Sequence, residues 1–256
     1  MQKITTSIFA ALILCLAATT TATAQKNKIS PFLKVDASSS YVWRGVQQDN
    51  STISIAPEVG AQWGGLSVSV WNLITTPKGT GYCETDINVG YTFFDKLYVG
   101  VTDYFLSLPG TCYFKNIPDN HSLEAQVSYY FGEEFPLTVS WATMILGNQD
   151  RASEENDDIV TYGKRHFSSY FELAYDFNIA DWVDMKAVVG GAPFTSPWWL
   201  GNEHPGVQLT NVGLRAEKQL FQTKLTGMSV WGTGNYNFAM KKPYFVLGLS
   251  FNLGKQ

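Results

Sequence analysis

The stretch 123–131, with the sequence LEAQVSYYF, decides the fold class of this chain. Its alternate positions form two sets, an apolar one of Leu123, Ala125, Val127, Tyr129 and Phe131 and a polar one of Glu124, Gln126, Ser128 and Tyr130. Successive side chains of a β-strand point to opposite faces of the sheet. The period of two therefore predicts a strand with one apolar face and one polar face.

The same alternation recurs along the chain, and turn residues separate the segments that carry it. The predicted strands, about twelve in number, are 31–44, 53–63, 66–73, 83–94, 97–106, 121–131, 137–146, 166–177, 183–192, 208–217, 224–233 and 243–253. After Gln25 no stretch of eleven or more residues has a convincing helical period. These features predict an all-β, antiparallel fold.

The connections between the predicted strands alternate between short and long. The short ones are 64–65, 95–96, 132–136, 178–182 and 218–223, and the long ones are 45–52, 74–82, 107–120, 147–165, 193–207 and 234–242. Outer-membrane barrels have this order, because their periplasmic turns are short and their extracellular loops are long. A sheet in lipid must also close on itself, since lipid offers no hydrogen-bond partner to an open edge. We therefore predict an up-and-down transmembrane β-barrel of about 12 strands; the competing fold is a soluble periplasmic barrel or sandwich.

The first 24 residues have the features of a secretory signal peptide. Lys3 gives a positive start, the run 8–18 is apolar, and Ala22-Thr23-Ala24 is a small-residue cleavage site. We expect residues 25–256 to form the exported barrel in a bacterial outer membrane. Charged residues make up only 16% of the chain, against about 25% in soluble domains, and this shortage favours a surface that faces lipid. The net charge of −4 argues against a nucleic-acid partner, because nucleic-acid binding needs excess positive charge.

Charged side chains in the predicted strands fall on the faces that carry the polar sets. A charge on the lipid side near the midplane costs about 2–4 kcal/mol for Arg or Lys, so a barrel places these residues inside. The predicted lumen-lining residues are Lys34, Asp36, Arg44, Glu58, Asp86, Glu124, Glu172, Lys186, Arg215 and Glu217. Two interpretations stay open: salt bridges that hold the shape of the barrel, or a polar pore that selects among small solutes.

Tryptophans in membrane barrels gather where lipid meets water. Trp43, Trp71 and Trp231 lie near the long-loop ends of their predicted strands. In the predicted strand 31–44, Trp43 belongs to the outward set and the neighbouring Arg44 to the inward set. We therefore predict that Trp43 points into the headgroup region, while Arg44 points into the lumen near its mouth.

The segment Ser40-Tyr41-Val42-Trp43-Arg44-Gly45-Val46, followed by Gln47-Gln48, carries a family resemblance. It resembles the opening signature of a family of bacterial outer-membrane porins known as TorF-like, an Asp-x-x-x-Ser-x-Tyr-x-aromatic-Arg-Gly pattern followed closely by a glutamine. Asp36 also fits this pattern, and the rest of the chain matches in character. The resemblance implies an outer-membrane barrel with a porin function and no defined substrate. The motif residues here are Ser40, Tyr41, Trp43, Arg44 and Gly45.

Two cysteines, Cys83 and Cys112, follow the predicted signal peptide and would meet an oxidising compartment, which permits a disulfide. If Asp95-Lys96 is a two-residue hairpin turn, Cys83 lies opposite Leu108, close in sequence to Cys112. Both thiols then lie at the same end of neighbouring strands. We predict a Cys83–Cys112 disulfide, and two unpaired thiols are the alternative.

Pro57 lies within the second predicted strand, 53–63. A proline lacks the N–H that a strand ladder uses, and a closed barrel has no free edge on which to place it. We therefore expect either a bulge at Pro57 or a shorter strand.

No residue pattern predicts catalysis, a metal site or a cofactor. The histidines His121, His166 and His204 have no metal-ligand spacing, and no Gly-x-Ser-x-Gly nucleophile elbow occurs. We predict a porin-like channel for passive or facilitated diffusion of small hydrophilic solutes. The alternative is a closed structural or surface-binding barrel that acts through its long extracellular loops, and an outer-membrane enzyme is the third and least favoured hypothesis. The expected partners are membrane lipid, lipopolysaccharide, the outer-membrane assembly machinery and the solutes.

Overall fold

The computed structural model describes residues 28–48, 53–75, 83–106, 113–114, 120–156 and 159–254. The strands of this part, in chain order, are β1 (Ser30–Ser38), β2 (Val42–Trp43), β3 (Val46–Gln47), β4 (Ser54–Trp63), β5 (Leu66–Thr75), β6 (Cys83–Phe93), β7 (Leu97–Leu106), β8 (His121–Tyr130), β9 (Leu137–Leu146), β10 (Arg151–Asn156), β11 (Ile159–Arg165), β12 (Ser169–Ile179), β13 (Val183–Ala192), β14 (Gln208–Gln222), β15 (Thr226–Asn237) and β16 (Lys242–Gly254). A 3₁₀ turn (Asn148–Asp150) and a short helix (Pro197–Leu200) lie in two of the loops. No helix in this part of the chain is long and apolar enough to span a membrane. The predicted signal peptide, residues 1–24, lies outside the described residues.

Twelve of these strands close into one antiparallel barrel, as the alternating pattern predicts. The order around the barrel is β1, β4, β5, β6, β7, β8, β9, β12, β13, β14, β15 and β16, and β16 pairs with β1 to close the sheet. Each strand pairs with the barrel strands before and after it, so the barrel is up-and-down. The hairpins β2–β3 and β10–β11 are separate two-stranded sheets. We call the end that carries tight turns such as Gly64-Gly65 the short-turn end, and the opposite end the long-loop end.

The barrel strands place their apolar sets outside and their polar sets inside. In β8, Val127 and Tyr129 are 42% and 41% exposed, whereas Glu124, on the opposite face of the same strand, is fully buried. In β16, Leu247 is 70% exposed and Ser250 is buried. The barrel therefore confirms the period-two prediction: its outer wall is apolar, and its interior carries charged and polar groups in place of an aliphatic core.

The first strand is shorter than predicted. β1 ends at Ser38, and one further backbone bond joins the Ser39 N–H to the Leu247 C=O at 2.9 Å. The Ser38 hydroxyl then donates to the Ser40 C=O at 3.0 Å. This local bond competes with the ladder, and the chain leaves the barrel wall here. The prediction of one strand over 31–44 was therefore wrong.

Residues 41–48 form a tight hairpin from β2 and β3. The Gln48 N–H bonds the Tyr41 C=O at 3.1 Å, which closes the base of the hairpin. Arg44 and Gly45 form its turn with φ angles of 53° and 75°. These left-handed conformations reverse the chain within two residues. We call residues 41–48 the inner hairpin.

Other strand boundaries also differ from prediction. β12 begins at Ser169 rather than at 166, and β14 continues to Gln222 rather than ending at 217. The extension of β14 pairs with β15 through a register shift after Gln219. An irregularity of this kind breaks the period of two, which explains why the pattern underestimated the strand.

Pro57 lies in β4 without a bulge and without shortening the strand, so both expectations for it were wrong. It pairs with Val35 on the β1 side in an uninterrupted ladder. On the β5 side no pairs form at Ala56 and Pro57, and the register before and after this gap is the same. A local gap in one ladder therefore accommodates the missing N–H.

The turn between β6 and β7 is one residue longer than the predicted pair. Residues 94–96 connect the strands, and Phe94 and Asp95 form the turn with left-handed φ angles of 55° and 57°. Glu84 consequently pairs with Leu106, one residue away from the predicted register.

The longer turn changes the position of Cys83 relative to β7. Cys83 is half-buried and forms no disulfide with another described residue. Cys112 lies outside the described residues, so the Cys83–Cys112 disulfide stays a prediction.

Candidate functional site

The inner hairpin lies within the barrel and bonds to strands on different sides of it. The Arg44 guanidinium reaches Glu124 of β8. The Thr210 hydroxyl of β14 donates to the Arg44 C=O at 2.8 Å, and the Asn237 amide of β15 donates to the Gly45 C=O at 2.8 Å. The hairpin therefore crosses the lumen from β8 to the β14–β15 wall.

Arg44 and Glu124 form a buried bidentate ion pair at the tip of the hairpin. Nη1 and Nη2 donate to Oε1 and Oε2 at 2.7 and 2.8 Å, and the two side chains are 9% and 0% exposed. The Tyr104 hydroxyl donates to Oε2 at 2.9 Å. The guanidinium carbon lies 4.1 Å from the ring centroid of Trp43 and 4.5 Å from that of Tyr170. Charge-assisted and cation–π contacts together satisfy this buried charge.

Gly45 is required where the hairpin meets β14. Its φ of +75° is left-handed, and a Cβ built on it would lie 1.8 Å from the Thr210 carbonyl oxygen. That atom belongs to the backbone of the barrel wall, so it has little freedom to move. Only glycine permits this approach.

We expect Gly45→Ala to undock the inner hairpin, because the left-handed φ alone costs about 1–3 kcal/mol in a non-glycine residue and the clash adds to it. Trypsin cleavage after Arg44 measures undocking, since this bond is protected while the guanidinium is buried. Gly64→Ala is the matched control, because Gly64 has φ of +57° but no atom within 4 Å of a built Cβ. Equal protection of Arg44 in both variants would contradict the assignment.

A second element enters the lumen from the loop between β13 and β14. In the helix Pro197–Leu200, the Trp198 indole N–H donates to the Ser122 hydroxyl at 2.9 Å. The Trp198 ring lies 5.5 Å from Trp43 of the inner hairpin. Leu200 is buried in one cluster with Val46. The helix and the hairpin therefore pack on each other at the long-loop end.

Trp43, Trp71 and Trp231 all lie inside the barrel, so their predicted place in the headgroup region was wrong. Trp43 left the wall with the inner hairpin. Trp71 contacts Tyr41 at a centroid distance of 5.5 Å, and Trp231 lies 4.1 Å below the Arg215 guanidinium. Trp71 and Trp231 occupy polar-set positions of β5 and β15, and the register governs their direction more strongly than the preference of indole for interfaces.

Most of the ten predicted lumen-lining residues are held by partners. The ion pairs are Arg44 with Glu124 at 2.7 Å, Lys34 with Asp36 at 2.9 Å, Arg215 with Glu217 at 2.9 Å and Lys186 with Asp176 at 3.4 Å. Glu172 accepts a hydrogen bond from the Tyr170 hydroxyl at 2.6 Å. The structure thus brings three pairs of the predicted set together and adds Asp176, which shares the polar face of β12 with Glu172.

Glu58 and Asp86 differ from the other predicted residues. In the part of the chain that the structure describes, neither carboxylate forms an ion pair with a basic side chain. Both line a cavity of about 530 Å³ on the β4–β8 side of the lumen, together with Trp71 and Tyr104. Asp86 is 6% exposed, and its Oδ1 has no hydrogen-bond partner among the described residues.

Two acidic positions escaped the sequence prediction. Glu84 is 5% exposed and lies two residues before Asp86 on the same face of β6; extending the alternation by one step finds it. Asp103 lies on the apolar-set face of β7, where His121 Nδ1 contacts it at 2.8 Å and the Tyr113 hydroxyl donates to it at 2.7 Å. No local pattern identifies these partners, which come from a different strand and a loop.

Aromatic side chains of the lumen lie close to glycines of their own or a neighbouring strand. A Cβ at Gly90 or Gly100 would lie 2.3 Å from atoms of Tyr98. A Cβ at Gly248 would lie 2.3 Å from the Trp231 ring. Glycines therefore provide slots for the rings, and bulky inward residues leave part of the lumen open.

Comparisons with solved structures give similarities at low sequence identity. An outer membrane channel from Pseudomonas putida F1 is 11% identical, with 91% of this chain and 97% of that chain covered and a TM-score of 0.41. A Pseudomonas aeruginosa FadL homologue is 8% identical, with 89% of each chain covered and a TM-score of 0.36. A triple mutant of the Rhodopseudomonas blastica porin is 10% identical, with 89% and 99% covered and a TM-score of 0.35. No family model matches the chain, and no curated protein matches it significantly.

Proposed function

We propose that this chain is an outer-membrane channel for passive or facilitated diffusion of small hydrophilic solutes, and that the inner hairpin forms its constriction. The observation that carries the proposal is that the polar lumen has open space beside the inner hairpin. A few specific contacts hold this hairpin in its docked position. A structural plug would instead be expected to fill the lumen with close-packed side chains.

The outer surface supports placement in a membrane. Its outward apolar side chains continue toward the long-loop end, where Ile55 and Ile74 are 42% and 53% exposed. Trp63 and Trp182 are 51% and 65% exposed at the short-turn end. Outer-membrane barrels have an outward apolar band flanked by aromatic residues at the interfaces, and these two tryptophans fit such a position at the short-turn end. The same surface in water would be a large exposed apolar patch.

The interior supports a solute path. A cavity of about 350 Å³ and the cavity of about 530 Å³ share Trp43, Tyr98 and Gln126 in their linings. Trp43 belongs to the inner hairpin, so this hairpin borders both spaces. Twelve strands lie between the roughly 8 that side chains fill and the roughly 16–18 that leave a wide water channel. A narrow pore with a movable constriction fits this size.

Conductance in planar bilayers tests the proposal. We expect the purified protein to give small discrete steps, and a variant in which a Gly-Ser linker of equal length replaces residues 41–48 to give steps several-fold larger. Liposome swelling with sugars of graded size should extend to larger sugars in the linker variant. Heat-modifiable migration in gel electrophoresis shows whether each protein is folded. Absence of conductance from both folded proteins would contradict a channel function.

The second candidate function is a closed barrel that acts through its long loops. The buried cluster of Val46, Trp199 and Leu200, which joins the inner hairpin to the helix Pro197–Leu200, favours it. Under this hypothesis the linker variant would lose stability without gaining conductance. The bilayer measurement therefore separates the two functions.

A further inference from the structure

We infer that an acid–aromatic row on the inner wall of the barrel binds a small organic cation. The row consists of Glu58, Trp71, Asp86 and Tyr104 on the consecutive strands β4, β5, β6 and β7. Each member is the direct cross-strand partner of the next, so all four side chains lie at one level of one wall. This inference deepens the proposed channel function, because it rests on solutes reaching the lumen.

Asp86 is the member that needs a ligand. It is 6% exposed, it lines the cavity of about 530 Å³, and its Oδ1 has no hydrogen-bond partner among the described residues. A buried carboxylate oxygen without a partner is costly. Because Asp86 also lines the cavity, a cation held there would lie beside this carboxyl group.

The nearby basic side chains are already engaged. Lys34 is the cross-strand partner of Glu58, but its ammonium pairs with Asp36 at 2.9 Å. The Arg44 guanidinium is held by both oxygens of Glu124. Among the described residues, no basic side chain therefore pairs with either carboxyl group of the row.

The surroundings favour an organic cation over a metal ion. Tyr41 lies 5.5 Å from Trp71, and Trp43 lies 5.6 Å from Tyr104, measured between ring centroids. Aromatic rings close to a carboxylate attract ammonium groups through their π-faces. A divalent metal needs several oxygen ligands at short range, and the described residues contain no group of three or more His, Cys, Asp or Glu arranged to hold one. The cavity volume lies within the range of small-molecule sites, about 300–1,000 Å³.

Calorimetric titration of the full chain in detergent micelles with choline tests the inference. Dimethylbutanol, the uncharged isostere of choline, is the matched ligand control. We expect choline to bind at least about tenfold more tightly than the isostere, because only choline carries the charge that the row attracts. Asp86→Asn, which keeps the shape of the side chain, should weaken choline binding by about tenfold or more. Glu133→Gln, at an exposed short turn, should leave it unchanged.

Glu58→Gln and Trp71→Leu provide independent tests if Asp86→Asn does not fold, and each should weaken choline binding several-fold. Equal binding of choline and its isostere, or unchanged binding in all folded variants of the row, would overturn the inference. A parent protein that conducts ions but binds no choline would overturn this inference alone. Choline binding by the parent protein, with no conductance from either the parent or the linker variant, would overturn the channel function alone.

Discussion

Replacement of Glu124 by alanine is expected to release the inner hairpin from the lumen and to raise single-channel conductance several-fold. The carboxylate is fully buried and holds the Arg44 guanidinium at 2.7 and 2.8 Å. Removing one partner of a buried pair leaves an uncompensated charge, which costs about 3–5 kcal/mol. The chain avoids this cost if the hairpin moves and the guanidinium reaches water. At about 1.4 kcal/mol per factor of ten, the ratio of docked to released hairpin should fall by about a hundredfold or more.

A double variant separates the loss of the ion pair from a loss of folding. Arg44→Met with Glu124→Leu replaces both charges by apolar groups of similar volume, a change that is often neutral in a protein interior. This variant should keep the hairpin docked, so its single-channel conductance should equal that of the parent. If Glu124→Ala folds and its conductance equals that of the parent, the hairpin is not the constriction.

The strands of the barrel could be predicted because their environment repeats every two residues. Val127 faces the outside of the barrel and Glu124 faces the lumen. The alternation of apolar and polar residues in each strand indicates these two faces without knowledge of the neighbouring strands. Local failures have local causes: Pro57 removes two pairs from one ladder, and Phe94 and Asp95 lengthen one turn through their left-handed φ angles. None of these changes which face of a strand is apolar.

The inner hairpin could not be predicted in the same way. Val42, Trp43 and Arg44 continue an aromatic and β-branched run, so their pattern extends the strand that ends at Ser38. The contacts that hold them inside come from Glu124, Thr210 and Asn237, which are far away in sequence. These contacts form only when the hairpin docks in the folded barrel, so the local sequence pattern cannot predict them. The glycine at position 45, a residue type common in turns, was the one local sign of a turn.

The charged residues show the same division between local and distant information. Alternation placed Glu58 and Asp86 in the polar sets, and both line the 530 Å³ cavity. It did not distinguish them from Glu217, which Arg215 holds at 2.9 Å. Whether a carboxylate is paired or left for a ligand depends on neighbours across strands and on the inner hairpin. The acid–aromatic row could therefore be recognised only once the register of β4 to β7 was known.

Val127→Arg is expected to destabilise the barrel in lipid vesicles by about 2–4 kcal/mol, the cost of an arginine on the lipid face near the midplane. Val127 lies in the middle of β8, is 42% exposed, and has Val99 and Trp141 as its cross-strand partners on the outer wall. The guanidinium would therefore lie among apolar groups with no acidic partner in the register. Reversible unfolding of the vesicle-inserted protein in guanidinium chloride, monitored by tryptophan fluorescence, measures the loss in the free energy of unfolding.

Ser128→Arg is the matched control, since Ser128 is the next residue of the same strand and lines the inner cavity of about 350 Å³. Its cross-strand partners are Tyr98 and Ser140, and Glu172 lines the same cavity. A guanidinium there reaches water and a carboxylate, so its cost should stay below about 1 kcal/mol. The difference between the two variants measures lipid contact directly, because strand, depth and introduced residue are the same. Equal losses would mean that the outer wall does not face lipid, and a greater loss for Ser128→Arg would reverse the assignment of the two faces.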